Sequence, residues 1–185
     1  MNARENPFAS SRIEAIPFVF PDGDDWNALI ARLSHHGWRA SIIGPHGTGK
    51  TTLLEQLAPR LATLGFKPHL VTLNTTSSLG DKRDLIQAVR GFRSHDFLLL
   101  DGEEQLLLAQ FFALKNAAKK CGGMITTRHR RGSLPAIFET QPTAALLRGL
   151  VVRLTGATLD EKESVALLSR QRFSIRDCFR ELYDR

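Results

Sequence analysis

Residues 44–51 read GPHGTGKT, and residue types at that spacing suit the holding of phosphate. Gly44, Gly47 and Gly49 let the backbone take turns in which successive N–H groups converge, and a following helix adds the positive end of its dipole. Pro45, His46 and Thr48 occupy the variable positions of the turn, and His46 reads there as a tolerated residue rather than a catalyst. Lys50 is placed to reach β- and γ-phosphates as a point charge, and the Thr51 hydroxyl to coordinate Mg2+, with Thr52 next in line. The segment follows the strand-like RASII and opens the helix-like TLLEQLAPRL, which is the context this chemistry needs. Further on, Asp101 ends the apolar run Phe97-Leu98-Leu99-Leu100, where an acidic group would reach the same Mg2+ through water.

Positioning these groups takes an alternation of strands and helices, and the sequence supplies one. Residues 24–36 carry Trp26, Leu29, Ile30 and Leu33 at helical spacing before Gly37, and are expected to pack beside a sheet edge. Strands are expected at residues 39–43, 67–73, 96–100, 123–127 and 150–154, and helices at 50–64, 81–92 and 103–120. Residues 134–148 read as a loop and a helix interrupted by Pro142. The last helix pair is expected to open with capping boxes at Thr158/Glu161 and Ser174/Asp177. The pattern predicts an α/β, three-layer fold: a five-stranded, mostly parallel sheet with helices on both faces, plus a small C-terminal helical appendage. The expected divisions are a lead-in and helix over 1–37, a nucleotide-binding core over 38–155, and the appendage over 156–185.

A chain of 185 residues, 42% of them hydrophobic, fits one domain and leaves no room for a second large catalytic one. Lys and Arg outnumber Asp and Glu by 25 to 19, for a formal charge of +6. That excess suits an anionic ligand; nucleic acid is compatible with it but not favoured. Cys121 and Cys178 lack metal-ligand or redox-motif spacing, so they read as free thiols in a reducing compartment. The six histidines show no zinc-site spacing. Without a signal-like apolar stretch at residues 1–11 or a membrane-length apolar run, the expectation is a cytoplasmic protein with no membrane partner.

At the residues just described the chain resembles the P-loop NTPases, in the division with an additional strand between the Walker A and Walker B strands, including the AAA-type ATPases. The resemblance spans roughly residues 38–155 and implies ATP and Mg2+ as ligands. In that division a glutamate directly follows the Walker B aspartate and polarises the attacking water. Here Asp101-Gly102-Glu103-Glu104 puts glycine there, so the role passes to Glu103 or Glu104. The resemblance also implies a polar sensor of the γ-phosphate on the 123–127 strand, with Thr126 and Thr127 as candidates, and a second sensor arginine at Arg176. Arg128, His129, Arg130 and Arg131 follow that strand, and this basic run, Arg128 and Arg130 in particular, is expected to act on anionic groups at the nucleotide edge. The implied activity is ATP binding and hydrolysis driving a switch or motor, with ATP preferred to GTP because no N-K-x-D sequence is present. A small-molecule kinase and a non-hydrolysing, nucleotide-dependent interaction module are the alternatives. A protein partner or a second copy of the chain is open.

Overall fold

A computed structural model describes residues 6–21 and 23–184; Arg4 and Glu5 of the polar N-terminal stretch lie outside these. Its helices are α1 (Ser10–Glu14), α2 (Trp26–His35), α3 (Lys50–Thr63), α4 (Leu79–Arg90), α5 (Leu108–Ala117), α6 (Ala144–Thr155), α7 (Glu161–Arg170) and α8 (Ile175–Tyr183). Its strands are β1 (Arg39–Ile43), β2 (Lys67–Thr72), β3 (Asp96–Asp101), β4 (Gly123–Arg128) and β5 (Ala136–Glu139).

Side-chain alternation along β3 divides the core between two faces. Phe97 and Leu99 join Leu53, Leu54, Leu57 and Leu61 of α3 and Leu29 and Leu33 of α2. Leu98 and Leu100 meet Leu85, Ile86 and Val89 of α4 and Phe111 and Leu114 of α5. A strand covered on both faces has no polar side to show, which is why 97–100 is an unbroken apolar run. Pro59 sits inside α3, where a lost hydrogen bond and a ring clash cost about 3 kcal/mol. The four fully buried leucines of that helix contribute roughly 1.5–3 kcal/mol each, so packing outweighs the proline.

The strands lie in the order β2-β3-β4-β1-β5, and every pairing is parallel. β4 is thus inserted between β1 and β3, as the resemblance implied. Register places Ile43 beside Arg128 and Leu100 beside Thr126. The chain therefore leaves β1, β3 and β4 at one edge of the sheet, and that edge collects Gly44, Asp101 and Thr127.

Four expectations need correction. The apolar residues 150–154 are not a strand but lie in α6, with Leu147 and Val151 one helical turn apart on its buried side. Thr143 caps the start of α6 and left-handed Gly156 ends it. The fifth strand is β5, four residues long, within the segment expected to be loop and helix. The helix expected over 103–120 is broken: a short 3-10 turn at Glu103–Gln105, extended Leu106 and Leu107, α5, then a second 3-10 turn at Ala118–Lys120. Phe111 and Leu114 of α5 are inside the domain, while Leu107, Leu108 and Phe112 are exposed. Asp160, not Thr158, caps α7, accepting from the N–H groups of Lys162 and Glu163. Ser174 caps α8, accepting from Asp177 N at 3.2 Å, but the reciprocal bond of the expected capping box is absent, since Ser174 N donates to Gln171 O.

A third cluster joins α6, α7 and α8 through Leu147, Val151, Leu167, Leu168, Ile175, Cys178 and Phe179. Phe8 and Ile13 pack onto it, and Phe8 stacks on Phe179 with ring centroids 5.9 Å apart. Asn6 donates to Tyr183 O at 3.0 Å. The N-terminal stretch thereby belongs to the helical unit. Cys121 and Cys178 are free and buried; burial pushes the Cys178 thiol up to about 11.

Candidate functional site

The site grows out of the turn after β1. Gly44, Gly47 and Gly49 all have positive φ, at 149°, 68° and 88°. At two of these positions space is as decisive as torsion. A side chain on Gly44 would run into Thr140, and one on Gly47 into Ser174. The N–H groups of residues 46–52 donate to no other described residue. Residues 47–52 are buried or half-buried, and such donors normally find acceptors; these six amides, with that of exposed His46, form a nest suited to an anion.

Lys50 is 8% exposed. Its Nζ folds back to donate to the carbonyls of Gly44, at 2.8 Å, and Pro45. Burial pulls the ammonium below the usual lysine range, against the opposing pull of the Glu104 and Asp101 carboxylates. A desolvated cation served by carbonyls alone gains from any anion that reaches it. Thr51 Oγ1 donates to Asp101 Oδ2 at 2.7 Å, so two hard oxygen donors of the kind Mg2+ takes stand side by side.

Thr126 and Thr127, expected to sense a γ-phosphate, are both buried and both engaged with carboxylates. Thr127 Oγ1 donates to Asp101 Oδ1 and accepts from Gly102 N at 3.0 Å. Thr126 Oγ1 donates to Glu103 Oε2 at 2.5 Å. The strand aligns the acidic groups. Arg128 Nη1 lies 2.6 Å from Glu103 Oε1, so this guanidinium is committed to a carboxylate of the chain itself. Arg130 and Arg131 are exposed.

The glycine after Asp101 has a local cause. Gly102 is left-handed at φ 88°, ψ 44°, and a Cβ there would lie 2.2 Å from the carbonyl oxygen of Leu73. No glutamate fits that position. Glu103 is 5% exposed and both its oxygens are taken. Burial raises its pKa, with Thr126 and Arg128 pulling the other way. Glu104 keeps 28% side-chain exposure, lies 2.8 Å from His129 Nε2, and is the carboxylate that acts most strongly on both Lys50 and His46. The His46 and His129 rings are 3.7 Å apart, and burial, then His129 and Lys50, lower the His46 pKa.

Arg176, at the start of α8, meets the turn: its N–H donates to Gly47 O at 3.3 Å. Beside Gly47, Thr48, Gly49 and Thr52 opens a cavity of about 940 Å3, walled by residues 8–19, α6 and α8. Sequence reasoning missed two contributors. Thr140 Oγ1 meets Thr48 Oγ1 at 2.5 Å and donates to Ile43 O at 3.3 Å, bracing the turn; with β5 unread, nothing placed Thr140 here. Phe18 lies against Gly49 and its N–H donates to Gln56 Oε1 at 3.0 Å; its segment has no periodicity to announce it.

An all-parallel sheet with β4 between β1 and β3, and a glycine turn leading from β1 into α3, define the P-loop NTPase fold of the additional-strand division, resembling the AAA-type ATPases. Solved structures share it. RuvB from Thermotoga maritima, in a variant form, matches with TM-score 0.56 at 19% identity, over 86% of this chain and 58% of that one. A DNA replication initiation factor matches with TM-score 0.58 at 16% identity, over 92% and 62%. The replication initiator DnaA, bound to AMPPCP and single-stranded DNA, matches with TM-score 0.55 at 15% identity, over 92% and 63%. The chain thus spans about three fifths of the length of these structures. No protein-family model and no curated protein matches the sequence. No helix among the described residues is long and apolar enough to cross a membrane.

Proposed function

We propose that this chain is an ATP-binding, Mg2+-dependent ATPase domain of AAA-like type, working as a nucleotide-dependent switch inside the cell. The observation that carries the reading is the nest of unpaired amides over residues 46–52 with the desolvated Lys50 ammonium beneath it. Thr51 and Asp101 fit Mg2+, which would neutralise charge on the phosphates. The 940 Å3 cavity beside the turn is within the usual size of small-molecule sites and would take the nucleoside end, with Arg176 at the phosphate side.

Of the two candidate bases, geometry supports Glu104. It is the one with exposure and with a carboxylate close to Lys50, whereas Glu103 holds Arg128 and Thr126. Glu104 would accept a proton from water attacking the γ-phosphate. Thr127 would keep Asp101 oriented. The helical unit is the part to be switched, since Arg176 N and Gly47 O already join it to the turn. One observation favours a non-hydrolysing interaction module instead: Gly102 cannot carry a carboxylate beside Asp101.

Calorimetry and phosphate release test the reading. Lys50→Ala should lose most Mg·ATP affinity while keeping the fold, and unchanged affinity would exclude the phosphate assignment. Glu104→Gln should retain binding and slow turnover by roughly 10²-fold or more. Binding without phosphate release in the unmodified chain supports the interaction module.

A further inference from the structure

His129 leaves the end of β4 and lies over the first turn of the phosphate loop. Its Nδ1 is 3.3 Å from Gly44 O, and its Nε2 is 2.8 Å from Glu104 Oε1. Both partners can only accept: one is a backbone carbonyl, the other a carboxylate. A neutral imidazole carries a single N–H and can serve one of them. Only the imidazolium presents an N–H toward both. The Nε2–Oε1 contact is short but not aligned as a hydrogen bond, so it joins the two groups as an ion pair when the ring carries both protons. The remaining groups around the histidine pair are the His46 ring and the Lys50 and Arg176 cations. Glu104 is the carboxylate that faces them.

We propose that His129, in its imidazolium form, is the positioning residue of the hydrolytic site, fixing the Glu104 carboxylate to the first residue of the phosphate loop. The proposal rests on Glu104 being the base. The Gly44–His129–Glu104 link gives the loop that would cradle a γ-phosphate and the group that would activate water a common frame. It does so across a short bridge of one ring, in a place where Gly102 has moved the acidic group two or more residues from Asp101. Placement within ångströms of productive geometry is where much of a hydrolytic rate resides.

The test compares the unmodified chain with His129→Ala, His129→Gln, Glu104→Gln and the Glu104→Gln/His129→Ala double variant. Mg·ATP turnover is followed across pH, Mg·ATP affinity by calorimetry, and the ring nitrogens of the nucleotide-free protein by 15N NMR. His129→Ala should lower kcat roughly 10-fold or more with affinity almost unchanged. His129→Gln should recover part of that loss, because its amide donor can reach Glu104. The pH profile of turnover in the unmodified chain should differ from the profile that both His129 variants share. In the Glu104→Gln background His129→Ala should add nothing. The NMR readout, independent of nucleotide, should show both His129 nitrogens protonated at the pH of greatest turnover.

An inert Glu104→Gln beside a His129→Ala of normal kcat and unchanged pH profile overturns the positioning role and leaves Glu104 as base. A singly protonated His129 at the pH of greatest turnover overturns the imidazolium link. Full turnover in Glu104→Gln, or none in the unmodified chain, overturns both readings.

Discussion

Replacing Gly102 by alanine tests the account of why no acidic group adjoins Asp101. Two costs combine. A residue with a Cβ held in the left-handed region loses about 1–2 kcal/mol, and Gly102 sits there at φ 88°. The new Cβ would also lie 2.2 Å from the Leu73 carbonyl oxygen, a backbone atom that cannot rotate away. Leu73 N in turn donates to Asp101 O at 2.8 Å, so relief requires the ends of β2 and β3 to part. Forcing extra atoms into a packed site costs roughly 1–3 kcal/mol. The total, about 2–5 kcal/mol, corresponds to a fall in Tm of several degrees, at about 2–4 °C per kcal/mol for a chain of this size. Gly102→Asn separates the two terms, because asparagine tolerates the torsion but brings the same Cβ, and it should fall between glycine and alanine. Thermal melts followed by circular dichroism give the answer. A Gly102→Ala chain melting within about 2 °C of the parent would refute the reasoning, since that shift corresponds to less than about 1 kcal/mol.

Thr140→Val removes the hydroxyl shared by Thr48 and Ile43 O; a loss of about 1–2 kcal/mol is expected in melts, with weaker Mg·ATP binding by calorimetry. Arg128→Ala leaves Glu103 buried without its cation. Because that guanidinium keeps 24% side-chain exposure, the cost should fall below the roughly 3–5 kcal/mol of a fully buried pair. Its pH dependence has a definite sign: the Glu103 pKa is raised on folding, so its contribution is present at acid pH and lost as pH rises through the folded value. The stability gap between Arg128→Ala and the parent should therefore narrow from pH 7 to pH 5, and a gap that widens on acidification contradicts the buried-carboxylate account.

The glycine turn, α3 and the central strands were legible because each carries its own signal: a glycine spacing that few other structures require, leucines at helical spacing, and an apolar run fit only for a strand covered on both faces. The inserted position of β4 came from the resemblance, not from periodicity. What failed was arbitration between short apolar segments. Residues 150–154 look like a strand when taken alone, and only the extension to Leu147 reveals the helical face. β5 has just two buried residues, Ile137 and Phe138, too few to declare a period. The break in the expected 103–120 helix depends on Gly102 and on the pull of Thr126 and Arg128 on Glu103, contacts from strands remote in sequence. The link of His129 to Glu104 is likewise tertiary, and a basic run in one dimension gives no hint of it.

The pairing of Asn6 with Tyr183 and of Phe8 with Phe179 has a consequence for the order of assembly. The phosphate turn has all its residues once the chain has been synthesised past Thr51, and its acidic partner follows at Asp101. The wall that makes a cavity beside that turn comes from residues before β1 and from α8, so it cannot close until α8 has left the ribosome. A nascent chain would therefore own the glycine turn long before the wall that closes the cavity beside it. Contacts of such sequence separation are slow to form, and the apolar N-terminal segment must wait for the helices that cover it. Closure of that cavity would then report that α8 has been made and packed.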